Sequence, residues 1–147
     1  MRCMQVLIAT AEQEVYRGQA NMVIAPSVDG SLAILPGHTP LLALLRPGEI
    51  RIDCPADGDC RECHTDYMAV FGGYLEVQPD VVTILADAVE RAEDIDAAQA
   101  QKAVEQARKL LNSPDKEIAS KALLDLELAI AKLRVVRKNS PKSFMKP

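Results

Sequence analysis

A chain of 147 residues suits one ordinary domain or two small ones, and its 48% hydrophobic and 26% charged content marks a folded globular protein rather than a disordered one. No apolar stretch reaches the roughly 18–20 residues that span a bilayer, and with no Trp, three Tyr and two Phe an aromatic platform for stacking nucleic-acid bases is not expected. The net charge of -4 is unevenly divided: residues 1–90 hold 13 acidic and 5 basic side chains with no lysine, a net of -8, whereas 91–147 hold 8 acidic and 12 basic, a net of +4.

The opening Met1-Arg2-Cys3-Met4-Gln5-Val6 lacks the apolar core and small-residue cleavage site of a signal peptide. The chain is therefore expected to stay in the compartment where it is made, with its four cysteines as reduced thiols rather than a disulfide framework. Up to about residue 87, short runs rich in Val, Ile, Leu and Met alternate with turn clusters, the pattern of a β-sandwich. The expected strands are Met4–Ala9, Val15–Ala20, Met22–Ala25, Ser31–Leu35, Leu41–Leu45, Glu49–Asp53, Tyr67–Phe71, Tyr74–Gln78 and Val81–Ala86. Between them stand Val28-Asp29-Gly30, Leu35-Pro36-Gly37, Arg46-Pro47-Gly48, Asp57-Gly58, Gly72-Gly73 and Gln78-Pro79-Asp80. Proline presets φ for a turn and glycine accepts positive φ, so these are turn signals with a mechanism. With no helical pattern between them the strands are expected to be antiparallel, packed as two sheets.

Near Asp87 the period changes. Asp94 is placed to cap a helix and Asp96 to add negative charge to its first turn. Small apolar residues then recur at Ala100, Ala103, Ala107 and Leu110. Asn112-Ser113-Pro114 breaks that helix, with Ser113 expected as N-cap and Pro114 as first residue of the next. The second helix repeats the ladder at Ala119, Ala122, Leu126, Ala129, Leu133 and Val136, so that the two stripes face each other as an antiparallel hairpin. Leu123, Leu124, Leu128, Ile130 and Val135 lie off that stripe, and a helix apolar nearly all round expects a second neighbour. Beyond Glu127 there is no acid, while Lys132, Arg134, Arg137, Lys138, Lys142 and Lys146 give a basic end. Such an end suits nucleic acid, anionic lipid or an acidic protein surface, or else a solvated helix terminus complementing its own dipole. The reading is thus α+β: an antiparallel β-sandwich over residues 1–87, a two-helix hairpin over 88–138, and a basic tail over 139–147, frayed by Pro141 and Pro147.

The run Gly30-Ser31-Leu32-Ala33-Ile34-Leu35-Pro36-Gly37-His38-Thr39-Pro40-Leu41-Leu42 resembles the loop characteristic of the epsilon subunit of bacterial F-type ATP synthase. The resemblance continues through Arg46-Pro47-Gly48-Glu49-Ile50-Arg51-Ile52, Gly72-Gly73-Tyr74-Leu75-Glu76-Val77 and Val82-Thr83-Ile84-Leu85-Ala86-Asp87-Ala88, and Asp94-Ile95-Asp96 resembles the entry to that family's first C-terminal helix. It covers residues 4 to 138. It implies a non-catalytic rotor component whose β-domain binds the gamma subunit and rests on the membrane c-ring, with Ser31 and His38 on the partner-facing surface. It implies also that the hairpin extends along gamma to inhibit ATP hydrolysis, with Lys132, Arg134, Arg137 and Lys138 meeting an acidic surface of the alpha/beta hexamer. A bacterial member would lie on the cytoplasmic face of the inner membrane as a peripheral subunit.

Some relatives bind regulatory ATP through a pattern on the first hairpin helix. Ile95, Asp96, Ala100, Ala103 and Ala107 match it, but Gln99 and Gln106 stand where the pattern has arginines, whose forked charged donors phosphate recognition uses. Ile95 and Asp96, with Arg134 and Arg137, are the candidate set, and the expected state is without a cofactor. No Walker-type loop is present, and neither His38 nor His64 stands in a nucleophile motif. The departure from the family lies at Cys54-Pro55-Ala56-Asp57-Gly58-Asp59-Cys60-Arg61-Glu62-Cys63-His64. Cys54, Cys60, Cys63 and His64 are four residues of zinc-ligand type, although the Cys54-to-Cys60 gap is loose and adjacent Cys63 and His64 diverge if extended. An inert loop or a redox-labile thiol pair are the other readings. The rival functions are a metal- or thiol-based sensing module centred there, and a basic-tailed nucleic-acid binder, which the β-domain's net -8 disfavours.

Overall fold

The computed structural model describes residues 3–55 and 64–138. Ten strands run in chain order: β1 (Met4–Ala9), β2 (Glu14–Ala20), β3 (Met22–Ser27), β4 (Gly30–Ile34), β5 (Leu41–Leu45), β6 (Gly48–Cys54), β7 (His64–Val70), β8 (Gly73–Val77), β9 (Val81–Ala86) and β10 (Val89–Arg91). They are hydrogen-bonded in the order β10-β7-β6-β3-β5-β8-β9-β1-β2, with β4 pairing β3. β2 packs across the layer on β6, which folds the sheet over a shared core.

In-and-out alternation builds that core. Val6 and Ile8 of β1, Ile50 and Ile52 of β6, Leu75 and Val77 of β8, and Val82 and Ile84 of β9 point inward and are almost wholly buried. Burying each such side chain contributes about 1.5–3 kcal/mol before entropy is counted. The expectation of a wholly antiparallel sandwich needs one correction. β1 pairs with β9 in parallel, Val6 opposite Val82 and Ile8 opposite Ile84. A parallel pair requires a long connection, and here strands β2 to β8 supply it in place of a helix. A further strand, β10, extends the sheet past Ala86 by pairing Val89 with Val70 and Arg91 with Met68.

After a 3-10 turn at Ala92–Asp94, two helices follow, α1 (Ala97–Leu110) and α2 (Lys116–Lys138). The cap of α1 is Asp96, not Asp94: its carboxylate accepts from the Ala98 and Gln99 N–H groups at 3.0 and 3.2 Å. Asp94 is consumed by the 3-10 turn, and Ile95 is extended between the two. Asp96→Ala is accordingly expected to cost about 1 kcal/mol, read as a lower thermal unfolding temperature of the hairpin by circular dichroism. α2 likewise begins two residues later than expected. Ser113 Oγ accepts from the Asp115 N–H and Asp115 Oδ1 from the Glu117 N–H, so Pro114 stays in the connection and Asp115 does the capping.

α1 buries Ala100, Val104 and Ala107, whereas Leu110, expected on the stripe, is exposed. α2 buries Ala122, Ala129, Ala131 and Val135. Ala129 and Ala131 sit about 200° apart around a helix, so their joint burial means that α2 is covered on two opposite sides. α1 covers one, and strands β6 and β7 with the 3-10 turn cover the other. That answers the surplus of apolar residues noted in the sequence: the second neighbour is the β-domain, which is why Val135 is fully buried while Leu123 and Leu124 remain outside. None of the helices among the described residues is long and apolar enough to cross a membrane.

Candidate functional site

The outward faces of β5, β8 and β9 form an apolar strip. β5 is apolar at every position, so when Leu41, Ala43 and Leu45 turn toward the core, Leu42 and Leu44 must turn away. Leu42 is 70% exposed and Leu44 49%. The pairing sets Leu44 opposite Tyr74 and Tyr74 opposite Leu85, both 54% exposed, so three large side chains stand in a row across three strands. Contiguous apolar surface of this kind marks an interaction site. Sequence reasoning did not pick these four residues, although the unbroken Leu41–Leu45 run on a half-buried strand was the available signal.

Ser31 and His38, which the resemblance grouped together, are separated. Ser31 lies in a crevice of about 390 Å³ between the β3–β6 region and α2, which Arg46, Glu49, Glu127, Ala131 and Arg134 also line. His38 belongs to the loop after β4, where the Gly37 N–H donates to the Pro79 carbonyl at 2.8 Å and His38 Nδ1 lies 2.6 Å from the Thr39 carbonyl. The loop and the Gln78-Pro79-Asp80 turn thus form one end of the sandwich.

The basic end of α2 is partly engaged by this chain's own acids. Lys132 pairs with Glu90 at 2.9 Å, and Lys138 pairs with Glu49 while lying 5.0 Å from the centre of the Tyr67 ring. Arg46 reaches back from the β-domain to Glu127 of α2. Arg134 and Arg137 are exposed. Glu49, Glu90, Arg46 and Glu127 are long-range partners that no local pattern announces.

The residues proposed for ATP are not brought together. Asp96 lines a groove of about 400 Å³ between α1 and α2 with Gln99, Gln106 and Lys132, but Glu90, Asp94 and Asp125 line it as well. Four carboxylates against one ammonium already paired to Glu90 repel a triphosphate, and the Asp96 carboxylate is occupied in capping. Arg134 lines the other crevice, on the β-domain side of α2.

Of the zinc-type residues, Cys60 and Cys63 lie outside the described residues. Cys54 and His64 are direct cross-strand partners on β6 and β7, and Asp66, which sequence reasoning passed over, joins them. Cys54 is buried, not part of an exposed loop, and its Sγ lies 3.3 Å from the Tyr16 hydroxyl of β2. Burial raises the Cys54 thiol above its ordinary range, and burial together with the Cys54 contact pushes the Tyr16 hydroxyl up as well.

The fold is a small sandwich with an appended helical pair and an exposed apolar strip on its outer face. Residues 3–92 match the family described as ATP synthase, Delta/Epsilon chain, beta-sandwich domain. The chain is 41% identical over 136 residues to the ATP synthase epsilon chain of Nitrosococcus oceani, covering 92% of this chain and 93% of that one. It is 44% identical over 137 residues to the epsilon chain of Halorhodospira halophila, covering 92% and 94%. It belongs to the ATP synthase epsilon chain family, non-catalytic subunits of the synthase. Among solved structures it superposes on a chain of the Euglena gracilis mitochondrial ATP synthase, an OSCP/F1/c-ring assembly, with a TM-score of 0.76 at 20% identity, covering 92% of this chain and 81% of that one. A chain of the Tetrahymena thermophila mitochondrial ATP synthase central stalk and c-ring gives 0.51 at 16%, covering 92% and 94%. At these identities the two structures speak to the fold.

Proposed function

We propose that this chain is a rotor subunit of the central stalk in a proton- or sodium-driven F-type ATP synthase, coupling c-ring rotation to gamma and restraining ATP hydrolysis through its hairpin. The observation that carries the reading is the strip Leu42, Leu44, Tyr74 and Leu85, an apolar face on a sandwich that already has a complete core. That strip is the surface offered to gamma. The His38–Pro79 end is offered to the c-ring. The subunit would sit peripherally at the cytoplasmic face of the inner membrane. Nucleotide and nucleic acid have no part in this reading.

The hairpin is held by contacts that can be exchanged. Three part-exposed ion pairs join it to the β-domain, each worth about 0.2–1 kcal/mol and weakened by salt. An acidic surface of the alpha/beta hexamer would take over Lys132 and Lys138 and add Arg134 and Arg137. Changing all four basic residues to glutamine removes two pairs from the folded arrangement and four charges from the extended one. The expected result is relief of inhibition, measured as faster ATP hydrolysis by the reconstituted enzyme; inhibition equal to wild type contradicts the assignment.

Reconstitution of an epsilon-depleted synthase tests the whole reading. Wild-type chain is expected to restore ATP-driven ion pumping, and a truncation ending at Ala92, which keeps β10 paired to β7, to restore pumping without restraining hydrolysis. Failure of the full chain to restore pumping contradicts it.

A further inference from the structure

Four core residues share one face of the β6–β7 hairpin, Ile50, Ile52, Met68 and Val70. Toward the hairpin's loop end the same face changes character. Residues opposite one another in an antiparallel pair point to the same side, so Cys54 with its partner His64, and Asp66 with its partner Ile52, share that face; Cys54 is buried against Tyr16 of β2, while Asp66 and the exposed His64 stand at its solvent edge. A thiol, an imidazole and a carboxylate therefore stand where the pattern calls for three apolar side chains.

Their spacing is informative. Asp66 Oδ2 lies 3.6 Å from Cys54 Sγ and 3.7 Å from His64 Nε2, and one donor atom from each residue falls within 4.8 Å of the others. At 3.7 Å the His64–Asp66 contact is too long for a good hydrogen bond. It is close to what a shared metal demands: ligand atoms about 2.0–2.3 Å from a tetrahedral zinc stand roughly 3.3–3.8 Å apart. The neighbouring polar residues Arg51, Asp53 and Thr65 bond to one another on the outer face and do not compete.

We infer that Cys54, His64 and Asp66 form a zinc site that clasps β6 to β7 at the loop end of their hairpin. Thiolate, imidazole and carboxylate suit zinc and exclude magnesium and calcium, which take oxygen ligands. On binding, the Cys54 thiol releases its proton to solvent and its sulfur bonds to the metal, while the Tyr16 hydroxyl, 3.3 Å from that sulfur, is placed to donate to it. Three protein ligands leave a fourth position for water. The site is independent of the rotor reading: it concerns the stability of the β-domain rather than its contacts with gamma or the c-ring.

The test is titration of the full tag-free chain with cobalt(II), followed by displacement with zinc. The expected result is one equivalent bound, a thiolate-to-cobalt charge-transfer band that zinc abolishes, and a zinc-dependent rise in unfolding temperature. Cys54→Ser, His64→Gln and Asp66→Asn should each weaken binding by more than the roughly 10- to 100-fold that losing an outer hydrogen-bond partner of a ligand costs. Unfolding of each variant in chelator checks that it folds. Loss in all three supports the site. Absence of the band, or undiminished affinity in any one of the three variants, overturns it.

Discussion

Gly73→Ala is expected to cost the β-domain about 2–6 kcal/mol, a large part of the roughly 5–15 kcal/mol that keeps such a domain folded. Gly73 opens β8 with φ at +120°, a conformation that residues with a Cβ rarely adopt, and that strain alone costs about 1–3 kcal/mol. A Cβ there would also lie 2.2 Å from the Leu85 carbonyl oxygen and 2.7 Å from Ala86 Cα. Both are backbone atoms of β9, so neither can swing aside, and relief requires β8 and β9 to separate where Gly73 faces Ala86. Overpacking of this kind adds about 1–3 kcal/mol. Gly30 is the control: its φ is +124°, but a Cβ would meet nothing within 4 Å, so Gly30→Ala should show the conformational cost without the clash. Urea unfolding of both variants reads the difference. Equal midpoints for the two would contradict the steric part of the argument.

The second large effect is on assembly. Leu44→Glu combined with Tyr74→Ala places a charge in the apolar strip and removes its central ring. If the strip is the gamma-binding face, these residues occupy the middle of an interface, where truncation costs at least about 2 kcal/mol, a loss of roughly 30-fold or more in affinity. Because both side chains are exposed in the isolated chain, folding stability should change by no more than about 0.5 kcal/mol. A drop in co-purification with gamma at unchanged unfolding temperature is the expected pair of results. Ile118→Glu, an equally exposed position near the start of α2, should leave co-purification unaltered.

What could be read from the chain followed from how local each feature is. Strand positions were legible because Pro-Gly, Asp-Gly and Gly-Gly steps mark the turns between them, and β1, β5 and β9 fall at Met4–Ala9, Leu41–Leu45 and Val81–Ala86 as expected. β10 escaped because Val89-Glu90-Arg91 has no alternation and is a strand only through its pairing with β7. The parallel β1–β9 pair was invisible for the same reason: it joins residues more than 70 positions apart. At the helix starts the right kinds of residue were present, but Asp96 and Asp115 won the capping roles from Asp94 and Ser113 because the preceding turns are longer than a minimal break requires. The family resemblance pointed to Ser31 and His38 but could not show that the β4 hairpin turns one toward α2 and the other toward the far end. Asp66 joined Cys54 and His64 only once β6 and β7 were in register.

The most direct test of the central claim places a photo-reactive amino acid at Leu44 in the full chain, assembled with gamma, the alpha/beta hexamer and the c-ring. The account predicts a covalent adduct with gamma on illumination. No adduct, or an adduct solely with a different subunit, would show that the apolar strip faces something other than the shaft.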